Sequence, residues 1–168
     1  MMNSFDEKLK GIVEGCLRLL HVNVKDSTVK TIVQFLKFGF VGVSNTVISY
    51  LLNVLTLLVL KPYNVSWDYI AGNMVAFVLS VLWSYYWNSK FVFSVDEGQS
   101  RSVWRTLLKT YAAYGFTGIV LNNILSYIWI NKLGISKYVA PLLNLIICIP
   151  LNFLINKLWA FKSTSKEQ

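Results

Sequence analysis

Four apolar stretches dominate this sequence: Phe35 to Leu60, Tyr69 to Trp87, Leu107 to Ile130 and Tyr138 to Ala160. Crossing the hydrocarbon core of a bilayer takes about 20 apolar residues as a helix. In that medium each backbone amide must be satisfied within its own segment, so such stretches fold as helices. The linkers KPYNVSWD, NSKFVFSVDEGQSRSVWR and NKLGISK are short and polar, and none resembles a soluble domain. Only 14% of the 168 residues are charged, against roughly a quarter in a soluble domain. The fold class expected is an all-α membrane protein. Residues 1–30 form an N-terminal amphipathic or interfacial segment, 31–162 a four-helix transmembrane domain, and 163–168 a tail.

The net charge of +8 would suggest nucleic acid in a soluble protein, but its placement points to a membrane instead. Lys8, Lys10, Arg18, Lys25, Lys30 and Lys37 precede or open the first span. Lys90, Arg101, Arg105 and Lys109 flank the middle loop, and Lys157, Lys162 and Lys166 close the chain. The opposite side has only Lys61, Lys132 and Lys137. Basic residues stay on the cytoplasmic side, so a plasma-membrane protein with both termini and the middle loop in the cytoplasm is expected. Aromatic rings mark both boundaries, with Tyr63, Trp67, Tyr69, Trp129 and Tyr138 outside and Tyr85, Tyr86, Trp87, Trp104 and Trp159 inside.

Catalytic and metal chemistry find no support. Cys16, Cys148 and His21 lack metal-ligand spacing, and no nucleophile–base set or phosphate-cradling loop is present. The reading is a non-enzyme without cofactor. No Asp or Glu lies inside a span, which removes the usual carboxylate of proton-coupled transport. Ahead of the spans, Phe5, Leu9, Ile12, Val13, Cys16, Leu17 and Leu20 recur at helical spacing. That helix either lies on the inner leaflet or packs on the middle loop.

The chain also repeats itself. GFVG at Gly39 to Gly42 matches GFTG at Gly115 to Gly118, and NSKFVF from Asn88 matches NKLWAF from Asn156. Each half reads as basic start, glycine-rich helix, short outer loop, second helix, then Asn with a basic neighbour. Two spans per half make this a duplicated helical hairpin with parallel repeats. Gly39, Gly42, Gly115 and Gly118 fit close helix packing in lipid, or a groove kept open for a ligand. Asn45, Asn53, Asn73, Asn122, Asn123, Asn144 and Asn152 fall within spans. An unpaired amide there costs several kcal/mol, so a polar seam through the bundle is expected. Lys37, Lys90, Arg105, Lys109 and Lys157, with Asn88 and Asn156, form an inner rim. The positive-inside bias explains the cations; a phosphate-binding rim is the functional alternative. Pro141 and Pro150 suggest a kink facing the seam.

FLKFGFVGVSNTVISYLL, NSKFVF and LNFLINKLWAF together resemble the GtrA-like family of small four-span membrane proteins, over Phe35 to Lys162. Ser84 departs from the pattern, standing where Asn152 stands in the fourth span. The resemblance implies movement of a polyprenyl-phosphate-linked sugar from the cytoplasmic to the outer leaflet, for cell-surface polysaccharide synthesis. The partners it implies are that lipid-linked sugar, membrane lipids and a membrane glycosyltransferase; a homo-oligomer is compatible and nucleic acid is not expected. The alternative is a noncatalytic anchor or assembly partner of the glycosyltransferase, which has no need of polar residues in the bilayer. A multidrug-type cation exporter would need the missing carboxylate.

The charge asymmetry yields a direct test of orientation. Single cysteines at Asn64, Ser100 and Ser165 should react with an impermeant reagent outside intact cells only at Asn64. Labelling at Ser100 would reverse the orientation.

Overall fold

A computed structural model describes residues 4–21, 24–95, 99–136 and 139–165. Among the residues assigned above, Met1, Met2, Asn3, Lys137, Tyr138 and Lys166 lie outside that set. Among the described residues six α-helices follow one another: α1 (Ser4–Leu19), α2 (Asp26–Leu60), α3 (Asp68–Trp87), α4 (Val103–Gly115), α5 (Asn122–Tyr127) and α6 (Ala140–Ile155). A π-helical turn, Phe116–Leu121, joins α4 to α5, and another, Ile128–Lys132, extends α5. α3 and α6 run on into π turns at Asn88–Val92 and Asn156–Ala160. Among the described residues, four continuous helical segments are long and apolar enough to cross a membrane: Asp26–Tyr63, Ile70–Val92, Val103–Lys132 and Leu142–Ala160. The chain is a multi-pass membrane protein.

α2 starts at Asp26, well ahead of the apolar stretch, and the boundary expected at residue 30 falls inside it. Val29 and Val33, four apart on one face, bury against Val13 with Leu9 and Leu17 of α1 alongside. The apolar stripe of α1 is therefore split. Leu9, Val13 and Leu17 pack on α2, while Phe5, Ile12, Leu19 and Leu20 remain exposed. α1 also reaches the end of the second span, where the Phe5 and Phe91 rings lie 5.5 Å apart. His21, at φ 56°, stops the helix in the left-handed region, where His is among the few non-glycine residues enriched.

The most extensive helix pairing is between α2 and α3. A Cβ on Gly72 would stand 3.0 Å from Asn53 Nδ2, so glycine here permits a close approach. Close packing at the repeated glycines is not found within this chain. A Cβ added at Gly39, Gly42, Gly115 or Gly118 would meet no atom within 4 Å. The prolines also depart from expectation. Pro141 occupies the first turn of α6, where no amide donor is needed, and Pro150 sits inside α6 on an exposed face.

At the end of the bundle carrying α1, the middle loop and the tail (the basic end), Phe38, Val41, Val92, Phe93, Phe153, Ala160 and Phe161 form the main apolar core. The two helix exits match in detail. Phe93 N–H donates to Asn88 O at 2.7 Å and Phe161 N–H to Asn156 O at 2.8 Å. Beyond them, strands β1 (Gln99–Ser100) and β2 (Thr164–Ser165) pair antiparallel. Arg101 fastens both exits, as Nη1 donates to Phe93 O at 2.8 Å and Phe161 O at 3.2 Å, and Nη2 to Ser89 Oγ at 2.8 Å. Its guanidinium also lies 4.9 Å from the Phe161 ring centroid.

Only a planar fork can serve both carbonyls and the hydroxyl at once. Arg101→Ala should therefore cost about 2 kcal/mol, the range for charged hydrogen bonds, and Arg101→Lys should recover little of it. Arg105→Ala, whose side chain is exposed, should leave thermal unfolding in detergent unchanged. Equal melting temperatures for the Arg101 and Arg105 variants would contradict the fastening role.

Candidate functional site

Six of the seven span asparagines border two adjoining open clefts rather than one seam. The first, about 530 Å³, is lined by Asn45, Asn122, Asn144 and Asn152, with Gly39, Gly42 and Gly118 among its walls. The second, about 550 Å³, is lined by Asn45, Asn53, Asn73, Ser49, Ser80 and Tyr114. Asn45, Thr46, Tyr114 and Gly118 border both. The glycines thus open space instead of closing it. Phe38 belongs both to the first chamber and to the aromatic core, so that core underlies the chamber at the basic end. No charged side chain lines either space.

Hydrogen bonding separates the asparagines into scaffold and wall. Asn144 is the hub, 2% exposed. Its Nδ2 donates to Asn122 O at 3.2 Å, to Ser126 Oγ at 2.7 Å and to Asn122 Oδ1. Its Oδ1 accepts from the Trp129 indole at 3.0 Å. Asn53 Nδ2 donates to Asn73 Oδ1 at 2.9 Å, bridging α2 and α3. Asn45 Oδ1 is buried without a partner, beside the space it lines. Asn123 does not join the seam: it is exposed, and its Nδ2 donates back to Ile119 O at 2.7 Å.

The basic rim is divided as well. Lys37 is 7% exposed, 2.8 Å from Asp6 Oδ1 and 4.3 Å from the Phe91 ring centroid. Lys109 donates to Trp159 O at 3.2 Å and Lys157 to Thr31 Oγ1 at 2.7 Å. Lys90 and Arg105 are exposed, and their side chains have no ion pair among the described residues. Asn88 and Asn156 are not on the rim. Both are 0% exposed, because the π turns fold them inward, and both leave Oδ1 without a partner. Asn88 Nδ2 donates to Ser84 Oγ at 3.0 Å and Asn156 Nδ2 to Asn152 Oδ1 at 2.9 Å. Ser84 thus supplies the acceptor that Asn152 supplies in the fourth span, and it also bonds Tyr114.

Sequence reasoning missed Tyr114 and Arg101 as organising residues. Arg101 was visible only as one more loop cation, and Tyr114 as one more aromatic residue one position before a repeated glycine. Among the described residues no group of His, Cys, Asp or Glu could hold a metal ion.

The family model for the GtrA/DPMS transmembrane domain matches residues 37–161. The chain belongs to this family. Among GtrA/DPMS relatives, it is 29% identical over 106 residues to the cell wall teichoic acid glycosylation protein GtcA of Listeria monocytogenes, covering 61% of this chain and 70% of that protein. A GtcA protein of Listeria innocua serovar 6a is 28% identical over 97 residues, covering 58% of this chain and 66% of that protein. No solved structure matches significantly. The GtrA/DPMS match begins at Lys37, so α1 and the first turns of α2 lie outside it.

The hub and the outward asparagine should behave differently. Asn144→Leu strands the Trp129 indole, Ser126 and Asn122, at about 1–3 kcal/mol for each buried group left unsatisfied. Asn123→Leu should be near neutral. Thermal unfolding in detergent reads both, and equal losses would contradict the division.

Proposed function

We propose that the chain translocates a polyprenyl-phosphate-linked sugar from the cytoplasmic to the outer leaflet of the cell membrane, serving cell-surface glycosylation. The observation that carries this reading is the pair of uncharged clefts in which amides and hydroxyls of the spans stand among apolar walls, with Asn45 Oδ1 lacking a donor. A sugar's hydroxyls donate to such acceptors, and burial in a low-dielectric space strengthens each bond. The prenyl tail needs no protein lining and stays in lipid. Lys90 and Arg105, exposed at the basic end, suit capture of the phosphate. The teichoic acid glycosylation named for the Listeria relatives agrees with a sugar-handling role.

The basic end faces the cytoplasm in this reading, and a membrane glycosyltransferase consumes the lipid on the other side. The matched exits, each with a π turn, a buried Asn and a following short strand, support a duplicated hairpin. A second reading, a noncatalytic anchor for the glycosyltransferase, is favoured by the uncovered apolar face of α1. An anchor leaves the polar chambers without a use.

In liposomes, outward movement of the lipid-linked sugar should persist after the pH gradient is collapsed. It should quicken with an inside-negative potential, by up to about 2.3 kcal/mol per charge per 100 mV of driving force. Asn45→Leu and Asn152→Leu should slow it severalfold, and Lys90→Ala with Arg105→Ala should raise the lipid concentration needed. Parental rates in both asparagine variants would reduce the chambers to packing, and no movement at all would favour the anchor.

A further inference from the structure

Where α1 meets α2, a crevice of about 220 Å³ opens against the end of the second span. It is lined by Asp6, Lys10, Lys30, Gln34, Lys37 and Ser94, over Val33 and Val92. Its polar groups are nearly all able to donate. Lys10 is neutralised locally, lying 3.5 Å from Glu14 and 3.6 Å from Asp26. The side chains of Lys30, Gln34 and Ser94 make no hydrogen bond or ion pair among the described residues. The one carboxylate lining the crevice, Asp6, sits on the Lys37 ammonium at 2.8 Å.

We propose that this crevice binds a phosphate monoester, and that the Asp6 carboxylate holds the phosphate's place on Lys37 while the crevice is empty. Lys37 is the most buried cation of the chain's described residues. A buried ammonium needs an anion against it, and Asp6 supplies one from a separate helix. An arriving phosphate brings more negative charge and more acceptor oxygens than a carboxylate. Those oxygens reach the donors Asp6 leaves unused: Lys30 Nζ, the Gln34 amide and Ser94 Oγ. Exchange of one anion for the other frees the first turn of α1, whose remaining hold includes the Phe5–Phe91 ring contact. The site stands outside the matched family region except for Lys37, Val92 and Ser94. Only the choice of a lipid as the source of phosphate rests on the translocation reading, in which free polyprenyl phosphate, a monoester, is the carrier left once its sugar has been transferred.

Farnesyl phosphate and inorganic phosphate serve as probes, with the full chain in nanodiscs. Farnesyl phosphate should bind and speed hydrogen exchange at the first turn of α1. Asp6→Asn removes the competing anion and should tighten binding by about tenfold, equivalent to about 1.4 kcal/mol. Lys30→Gln, an exposed position that leaves folding untouched, should weaken binding severalfold, and it decides the matter if Asp6→Asn unfolds. Competition by inorganic phosphate at similar concentration would support the site and assign a soluble ester. Competition only by prenyl phosphate would support it and assign a lipid. Unchanged affinity in Lys30→Gln, or an Asp6→Asn variant that folds and binds no tighter, would overturn the proposal. Lost transport with these binding results intact would count against translocation alone.

Discussion

Inside hydrocarbon there is no solvent to accept or donate a hydrogen bond, and a polar side chain in a span costs free energy until it finds a partner. That constraint decides where these helices meet. Asn144 ties α6 to α5 and to the π turn after it, Asn53 ties α2 to α3, and Tyr111 reaches from α4 to the Val78 carbonyl of α3 at 2.6 Å. Apolar contact alone would not select these registers, since lipid tails are as apolar as Leu. The amides fix geometry that packing leaves free.

At the basic end a different rule operates. Charges there sit near water, and most would be worth little as isolated pairs. Arg101 escapes that discount because it is half-buried and satisfies main-chain carbonyls from two spans at once. Burial also lowers its pKa, with Tyr85 acting in the opposite direction. Lys37 is buried against Asp6, and removing one partner of such a pair leaves an uncompensated charge at a cost of about 3–5 kcal/mol. Loop, tail and N-terminal helix are therefore held by a few specific contacts.

The four spans were legible because apolar length is a one-dimensional signal, and a membrane-length helix lies within each of the four regions. Their starts were less so. Asp26 to Gln34 reads as polar, and its helix is extended by Val29 and Val33 burying on α1, a contact between distant segments. The asparagines announced a polar interior, yet Asn122 and Asn123 are neighbours that differ entirely in role. One residue on a helix turns the side chain by about 100°, and the sequence carries no marker of which faces inward. Asn88 and Asn156 looked like rim residues from their basic neighbours. The π turns that bury them depend on i to i+5 bonds that no composition reveals. Gly72 went unnoticed for the same reason, having no repeat partner to draw attention to it.

Ser84 and Asn152 accept from an asparagine four residues onward in their respective helices. Ser84 is wholly enclosed and committed to Tyr114, whereas Asn152 also borders open space. A guest that bonds Asn152 would compete with Asn156 for the same carboxamide, and Asn156 begins the turn that leads to the tail strand. The two exits are thus unequal: Ser84 meets the open space only through Tyr114, whereas Asn152 borders it directly and can pass an occupant's presence along the turn to the surface.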